Sequence, residues 1–415
     1  MVADVLDVSP RCRLCDAPLT QTFVDLGMSP PCEDFLTADR LDAMERFYPL
    51  HVRICSQCLL VQLPDYIDPS EIFVEYAYFS SFSDSWVAHA KRYADRMIEK
   101  LDLGPESLVV EVASNDGYLL QHFVDAGIPV LGVEPAANIA AVAIEKGIPT
   151  ETTFLGVATG VEIANRFGRA ALVAANNVYA HVPDLIDFTK GLRALVADDG
   201  WVTIEVQHLL RLIERSQYDT IYHEHFQYYT ALTIARALES GGLSLVDIEE
   251  LPTHGGSIRA FARPTEIAGE PSAAVTRLLA EEAAAGLDTV EGHAGFAVAV
   301  SQIRNDVLSF LINAAREGKK VVGYGAPGKG NTLLNHCGVR ADLLAYTVDR
   351  NPYKHGRFLP GTHIPVYDPE RIEQTKPDYV FVLPWNLRTE ITDQLSYIKA
   401  WGGQLVFPIP HLEVV

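Results

Sequence analysis

Short β-branched runs, each followed by a small polar loop and then an amphipathic stretch, recur along this chain. Leu108, Val109, Val110 and Val112 form the first run; the loop Ala113-Ser-Asn-Asp-Gly117 follows, and Tyr118 to Ala126 carries a helical pattern. A second strand, Pro129 to Val133, ends at the acidic Glu134. Ala170 to Asn176 and Trp201 to Val206 predict further strands around a helix at about Val182 to Ala197, and Val87 to Lys100 predicts the helix that enters this domain. An alanine- and glutamate-rich stretch from Gly269 to Gly286 reads as a linker and a polar helix, and His293 to Gly318 as a longer helix. The pattern then starts again, with Lys319 to Tyr324, a glycine loop, and strands at Leu343 to Val348 and Tyr379 to Leu383. The fold class expected is α/β: two Rossmann-like, doubly wound domains over 76–265 and 266–415, preceded by a small module over 1–75.

The two loops differ in chemistry. A diphosphate cradle needs bare backbone at the G-x-G-x-x-G positions, so that phosphate oxygens can reach peptide N–H groups. In the first loop Ala113, Asn115 and Tyr118 stand at those places. Side chains there obstruct a diphosphate but suit S-adenosylmethionine (SAM), which has no phosphate and whose ammonium Asp116 could meet. Ser114, Asn115, Asp116 and Gly117 are therefore candidate cofactor-binding residues. Glu134, eighteen residues past Asp116, stands where ribose hydroxyls are held, and Asn176 and Asn177 stand at the carboxyl end of a parallel strand. The bland alternative is an ordinary αβ unit whose Asn-Asp-Gly is only a turn. In the second loop Gly323, Gly325 and Gly328 do fit the fingerprint, with Asp349 at the ribose position; Pro327 removes one donor. This loop looks built for a phosphate-bearing ligand, with Arg350, Lys354 and Arg357 as local positive charge.

The cysteines set the N-terminal module. Cys12-x-x-Cys15 and Cys55-x-x-Cys58 offer four thiolates, the set that a structural, tetrahedral Zn2+ takes. Thirty-nine residues separate the knuckles, longer than a zinc ribbon, so an insertion must bring them together. Four thiolates leave no open position for chemistry. Cys32 and Cys337 read as lone buried thiols. At 415 residues with a formal net charge of −21, the chain suggests several domains and no nucleic-acid partner, since phosphate binding needs a basic face. No apolar run approaches the ~20 residues of a membrane span, and no basic leader opens the chain; a soluble, cytoplasmic protein is expected.

The acid–base candidates lie in four segments. Glu75-Tyr-Ala-Tyr-Phe-Ser-Ser-Phe-Ser is dense in aromatic residues and reads either as a packed linker or as a lid using Tyr76. Asn176-Asn-Val-Tyr-Ala-His181 puts an imidazole at a strand's carboxyl edge. Tyr222-His-Glu-His225-Phe places two histidines around Glu224 at a spacing that suits proton transfer better than metal binding. His254-Gly-Gly-Ser-Ile-Arg259 is either a hairpin turn or a close backbone approach with Arg259 meeting a negative ligand.

Taken in order, these segments, the knuckles, Ser114-Asn-Asp-Gly-Tyr-Leu-Leu and Gly323-Tyr-Gly-Ala-Pro-Gly-Lys-Gly-Asn-Thr resemble the three-domain SAM-dependent C-methyltransferases of deoxysugar biosynthesis, in particular those methylating C-3, as in tetrocarcin biosynthesis. The resemblance implies a dTDP-linked 4-keto sugar as substrate and His225 as the base that forms its enolate. Glu224 would orient the imidazole or touch substrate, Tyr222 and His181 would donate to the C-4 oxygen, and Tyr76 would close the site. Arg259, Gly325, Lys329, Asn331, Asp349, Lys354, Trp385 and Asn386 would bind the nucleotide sugar. It implies methyl transfer with inversion at the sugar carbon; a monomer bound to neither nucleic acid nor membrane is expected. The competing reading is a NAD-dependent oxidoreductase or epimerase of nucleotide sugars, using the second loop.

Overall fold

The computed structural model describes residues 10–67 and 80–415; the aromatic segment with Tyr76 lies largely outside them. The chain divides into two compact units. One comprises Met1–Thr20, Ile54–Leu209 and Phe226–Val290, and the other Gln21–Arg53, Leu210–His225 and Glu291–Val415. The segment between the two cysteine knuckles thus belongs mostly to the unit built by the C-terminal third of the chain.

The first unit is organised by a seven-stranded sheet in the order Leu243–Leu251, Ser257–Pro264, Val196–Gln207, Ala170–Asn176, Val109–Val112, Val130–Val133, Thr150–Glu151. The last five are mutually parallel, and Ser257–Pro264 enters antiparallel between Val196–Gln207 and Leu243–Leu251. Both faces are covered, which is why Val109–Val112 is buried throughout, its Glu111 included, and does not alternate between apolar and exposed positions. One apolar layer joins Val110, Val112, Leu131 and Ile204 to Leu192 and Ile234; the other joins Val109, Leu172 and Phe261 to Tyr93, Met97 and Phe123.

Local chemistry sets the helix boundaries. The helix expected at Val182 to Ala197 is Leu185–Leu195, because Pro183 precedes Asp184, whose side chain caps Asp187 N–H at 3.0 Å. The first-loop helix runs Leu120–Asp125, two residues later than its pattern starts, because Ala113, Asn115 and Gly117 all hold left-handed backbone conformations (φ 56°, 50° and 79°). Helix Asp84–Leu101 is capped by Ser83, which accepts from Trp86 N–H.

The second unit carries a six-stranded sheet, Val366–Tyr367, Thr347–Val348, Val321–Tyr324, Tyr379–Val382, Gln404–Phe407, Glu413–Val414, parallel except at the last pair. Taken from its first strand the order is 3-2-1-4-5, the Rossmann order, as it is in the parallel part of the first sheet. Strands Gln21–Ser29 and Tyr48–Ile54 are neighbours in a further sheet, and Phe23 stacks on Phe296 at 4.8 Å from the start of the long helix Phe296–Arg316. The expected α/β class with two Rossmann-like halves and an N-terminal cysteine module is what the structure has. Among the described residues no helix is long and apolar enough to cross a membrane.

Candidate functional site

The four knuckle cysteines converge. Their Sγ atoms all lie within 4.8 Å of one another, and they are the one such ligand cluster among the described residues. Cys12 faces Cys58, and Cys15 faces Cys55, both at 3.4 Å. The sulfurs also take N–H donors: Leu14 and Gln62 point at Cys12 from 3.4 and 3.1 Å, and Gln57 at Cys55 from 3.4 Å. Such donors neutralise thiolate charge, which fits a closed Zn2+ site. Arg13, inside the first knuckle, ties it to the central domain by donating to Leu63 O (2.6 Å) and Pro183 O (3.1 Å) while lying over the Phe226 ring.

The first loop forms a buried acidic pocket floor. Glu134 accepts from Asn115 N–H and Ala136 N–H, each at 2.9 Å. Burial pushes its carboxyl up against those two bonds. Glu111, in the strand below, is pushed well up by burial and by the charges of Glu134 and Asp116. Asp116 is 1% exposed. Its Oδ2 accepts from Ser81 Oγ and from Lys146 Nζ (3.2 Å), while its Oδ1 is buried with no hydrogen-bond partner among the described residues. Asn176 Oδ1 and Asn177 Nδ2 are likewise buried without partners, and Asn177 is left-handed (φ 54°). Gly117 has no room for a side chain, since a Cβ there would meet Ile148 Cδ1 at 2.3 Å. Three left-handed residues in five and three orphaned polar atoms at strand ends are what a polar ligand repays. The acceptors suit the ammonium and ribose of SAM. Ser114 is fully buried. Ser80 N–H donates to Asn115 Oδ1 (2.9 Å), so Ser80 and Ser81 of the aromatic motif are pinned on this loop. The sequence reading quoted both serines in that motif but gave them no role, and Lys146 did not stand out; only their contacts with Asn115 and Asp116 identify them.

His181 ends the short turn Tyr179–His181 and is half-buried. The neighbouring Ala180 carbonyl accepts from Phe226 N–H at 2.7 Å. Arg259 is 2% exposed and carries two carboxylates: Glu205, and Glu249 at 2.7 Å. The strand register puts Glu249, Arg259 and Glu205 in one row, with His89 3.1 Å from Glu205 and Thr253 Oγ1 donating to it. Its charge is met inside the protein; what was expected to bind substrate is a buried ion ladder. Burial raises the Glu205 carboxyl, but His89 and Arg259 outweigh it and hold it at about 2.

In the other unit, His225 is half-buried and its Nδ1 lies 2.8 Å from Thr220 O. A carbonyl only accepts, so Nδ1 carries the proton and Nε2 is the basic nitrogen of the neutral ring. Tyr222 lies against the imidazole, ring centroids 3.9 Å apart. The orienting partner is thus a backbone carbonyl, which sequence cannot display, and not Glu224. Glu224 is buried facing Cys32 Sγ at 3.8 Å. Burial foremost, and then the charge of Glu33, push its carboxyl up to about 8. His223 points elsewhere, with Nε2 3.3 Å from Pro49 O, and burial pushes it down to about 4. The two histidines therefore share no metal.

The second glycine loop repeats the wiring of the first. Asp349 accepts from Ala326 N–H (2.7 Å) and Asn351 N–H (2.8 Å), as Glu134 does from Asn115 and Ala136. Gly325 is left-handed, and a Cβ there would meet Pro384 Cδ at 2.5 Å. The start of helix Gly328–Cys337 is already approached by another part of the chain: Asn331 Nδ2 donates to Cys32 O at 2.6 Å, and a Cβ on Gly328 would lie 3.0 Å from Glu33 Oε1. Lys354 Nζ reaches Ala326 O (2.8 Å) and Glu33 (3.6 Å). Lys329 donates to Asn386 Oδ1 (2.8 Å) and lies 4.9 Å from the Trp385 ring centroid, and Trp385 Nε1 donates to Asp219 Oδ2 (2.7 Å). Burial pushes Asp219 up to about 6 against the pull of Lys329; its Oδ1 is buried without a partner. Lys329, Asn331, Asp349, Lys354, Trp385 and Asn386 thus surround one loop, joined by Asp219, Cys32 and Glu33, which the motif did not single out.

Family models match the chain in three consecutive stretches: a zinc binding domain over residues 12–73, a methyltransferase domain over 86–248 and a C-methyltransferase C-terminal domain over 252–410. C-methyltransferase NovU of Streptomyces niveus is 35% identical over 412 residues, covering 99% of this chain and 98% of the relative. A ubiquinone biosynthesis O-methyltransferase of Methylobacterium is 28% identical over 205 residues, 45% of this chain and 81% of that protein. The magnesium protoporphyrin IX methyltransferase of Synechocystis, solved with bound SAM, is 18% identical over 43% of this chain and 81% of its own, with a TM-score of 0.32.

Proposed function

This chain belongs to the SAM-dependent C-methyltransferase family that joins a zinc-binding, a methyltransferase and a C-methyltransferase C-terminal domain, and we propose that it methylates C-3 of a dTDP-linked 3-amino-2,3,6-trideoxy-4-keto hexose in antibiotic sugar biosynthesis. The observation that carries the chemistry is the tautomer of His225, fixed by the Thr220 carbonyl so that Nε2 is a base. SAM, held by Asn115, Asp116, Glu134, Asn176 and Asn177 with Ser114 and Gly117 shaping the loop, supplies an electrophilic methyl group.

A ketone at C-4 acidifies the C–H at C-3. His225 Nε2 takes that proton, and the electron pair left on C-3 is delocalised onto the C-4 oxygen as an enolate. Tyr222 and His181 donate hydrogen bonds to that oxygen, where charge develops, and Tyr76 closes the site. C-3 then forms its bond to the methyl carbon on the face opposite the base while that carbon's bond to sulfur breaks, inverting C-3 and leaving S-adenosylhomocysteine. Lys329, Lys354, Asn331, Trp385 and Asn386 hold the nucleotide, cations toward the diphosphate and the indole toward the base. Gly325 and Asp349 keep the loop that carries them in shape. Arg259 supports the first domain from inside. The enzyme acts in the cytoplasm as a monomer.

Incubation with SAM and the dTDP-3-amino-4-keto sugar should add one methyl group to the sugar and release S-adenosylhomocysteine. His225→Asn should lower kcat by about 10²- to 10⁴-fold with SAM affinity unchanged; equal loss of SAM binding would contradict the role. The oxidoreductase reading is disfavoured by the 35% identity to a C-methyltransferase over 99% of this chain. A nicotinamide absorbance copurifying with the protein would revive it.

A further inference from the structure

The carboxyl ends of the first and fourth strands of the second Rossmann sheet, Val321–Tyr324 and Tyr379–Val382, lie side by side, with Tyr324 in register with Val382. The loops that follow them touch: a Cβ on Gly325 would meet Pro384 Cδ at 2.5 Å. Strand order reverses between these two strands, and the crevice at such a point is where open α/β sheets take their ligands. One wall is helix Gly328–Cys337 and the other is Pro384-Trp385-Asn386, bridged by the Lys329 bond to Asn386. Asp219 Oδ1 and Asn331 Oδ1 are buried there without partners among the described residues, acceptors left for a ligand's donors. The short turn Tyr218–Thr220 is fastened to both walls. On the helix side Tyr218 OH lies 3.7 Å from Cys337 Sγ, and Thr332 Oγ1 donates to Ile221 O at 2.9 Å. On the other side Trp385 Nε1 donates to Asp219 Oδ2 at 2.7 Å. The next residue, Thr220, offers the carbonyl that His225 Nδ1 meets at 2.8 Å. We infer that Asp219 is a positioning residue for His225: by holding the Trp385 indole it fixes the turn whose Thr220 carbonyl sets the imidazole tautomer, and so registers the base against the nucleotide crevice. This rests on the proposed reading of His225 as the base and of the crevice as the nucleotide's.

The bonds inside the turn make it move as one piece. Thr220 Oγ1 donates to Gln217 O at 2.8 Å, and Ile221 N–H donates to Tyr218 O at 3.0 Å. Where that piece sits is decided by its fastenings to the two walls, and Asp219 supplies the one on the wall that carries Trp385. Asp219 is fully buried, so no water is at hand to replace its bond to the indole. Without that bond the turn is held from the helix side alone and can pivot, which draws the Thr220 carbonyl away from Nδ1. A neutral imidazole that loses the acceptor on Nδ1 populates both tautomers, and less of it keeps a bare, basic Nε2. Displacement adds a second loss. A nucleotide held between the walls determines where its sugar arrives, and a base displaced by ~1 Å from that point can cost about 10²-fold in rate. Trp385 thus serves two ends, its ring on the crevice and its N–H, through Asp219, on the base.

The test is nitrogen NMR of the resting full-length protein labelled in its histidine rings, the His225 signals being those that vanish in His225→Asn. The unmodified protein should show one tautomer, protonated at Nδ1. Asp219→Ala should move both ring nitrogens toward the averaged position of exchanging tautomers and lower kcat by about ten- to a hundredfold, with SAM affinity unchanged. Asp219→Asn, whose amide oxygen still accepts from the indole, should keep the single tautomer and most of the rate. Trp385→Phe keeps a ring in the crevice and removes the donor; it should shift the His225 signals as Asp219→Ala does, and it decides the matter if the alanine variant does not fold. His225 signals unmoved in either folded variant overturn the inference, as does an asparagine variant that behaves like the alanine one. These spectra need no substrate. Failure of the unmodified protein to bind dTDP in calorimetry would overturn the nucleotide reading of the crevice, while the spectra still decide the link between Asp219 and His225.

Discussion

Replacing Arg259 with methionine should damage the fold before it touches substrate. Arg259 is 2% exposed, sandwiched by register between Glu205 and Glu249 and laid over the Tyr93 ring at 4.4 Å. Glu249 is partly exposed and also paired with Arg96, so it can keep a partner. Among the described residues Glu205, fully buried, keeps only His89 and the Thr253 hydroxyl. Its carboxyl is held at about 2, against an ordinary value of about 4.3. At about 1.4 kcal/mol per pH unit that difference corresponds to roughly 3 kcal/mol, and breaking a buried pair from one side costs about 3–5 kcal/mol by the same logic. The sign is that of a depressed acid: the stability is present above the unfolded pKa and is lost as pH falls through about 4 toward 2. Thermal unfolding at pH 7, followed by near-ultraviolet circular dichroism, should therefore shift down by about 6–12 °C for a domain of this size. Amides in Ser257–Pro264 should exchange faster. The double variant Arg259→Met/Glu205→Gln should recover much of the loss, because it removes the stranded charge. A single variant with unchanged melting and a raised KM for the sugar would refute this argument and return Arg259 to the substrate.

Other consequences are sharper in kind than in size. Cys55→Ser should lower zinc content and folded yield together, because ligand binding and folding are linked in such sites; a soluble, fully active, zinc-free variant would contradict a structural metal. Asp116→Asn should weaken SAM binding, measured by calorimetry, by about tenfold or more, since it removes charge from a carboxylate whose Oδ1 is buried without a partner; unchanged affinity would place the cofactor elsewhere. Tyr222→Phe should depress kcat and leave SAM affinity alone, and a change in KM only would mark Tyr222 as a binding group. Raising pH from 6 to 9 should destabilise the protein through Glu224, whose folded pKa of about 8 lies above its unfolded value. The folded state then holds the extra proton, and stability is lost as pH rises from the unfolded value through about 8. Glu224→Gln should abolish that slope, and a slope retained in the variant would assign it to other groups.

Elements whose signal is local were legible in the sequence. The strand at Ala170–Asn176 lies where its apolar run put it, the four cysteines converge as their spacing required, and both strand–loop–helix units form. What escaped were partners without a side-chain signature and partners supplied by distant chain. The Thr220 carbonyl that sets the His225 tautomer has no side-chain signature. Arg259 looked like an anion site because Glu249 and Glu205 become its neighbours only through an antiparallel register across three strands. The destination of Gln21–Arg53 was equally hidden, since alternation reveals a strand but not the unit it joins.

The two glycine loops make the same point more exactly testable. A motif specifies where backbone donors are bare; it does not specify who comes to them. In both halves the acid after the second strand turns back onto its own loop, Glu134 on Asn115 and Asp349 on Ala326, so this wiring alone does not say which ligand each loop takes. What remains unmet says more. Around the first loop Asp116 Oδ1, Asn176 Oδ1 and Asn177 Nδ2 are buried without partners among the described residues, and around the second Asp219 Oδ1 and Asn331 Oδ1 are. Both loops are therefore left with polar atoms for a ligand to meet, the one with the poorer glycine fingerprint no less than the other. Donor accounting finds two sites where glycine counting finds one, because an unsatisfied buried polar atom costs about 1–3 kcal/mol.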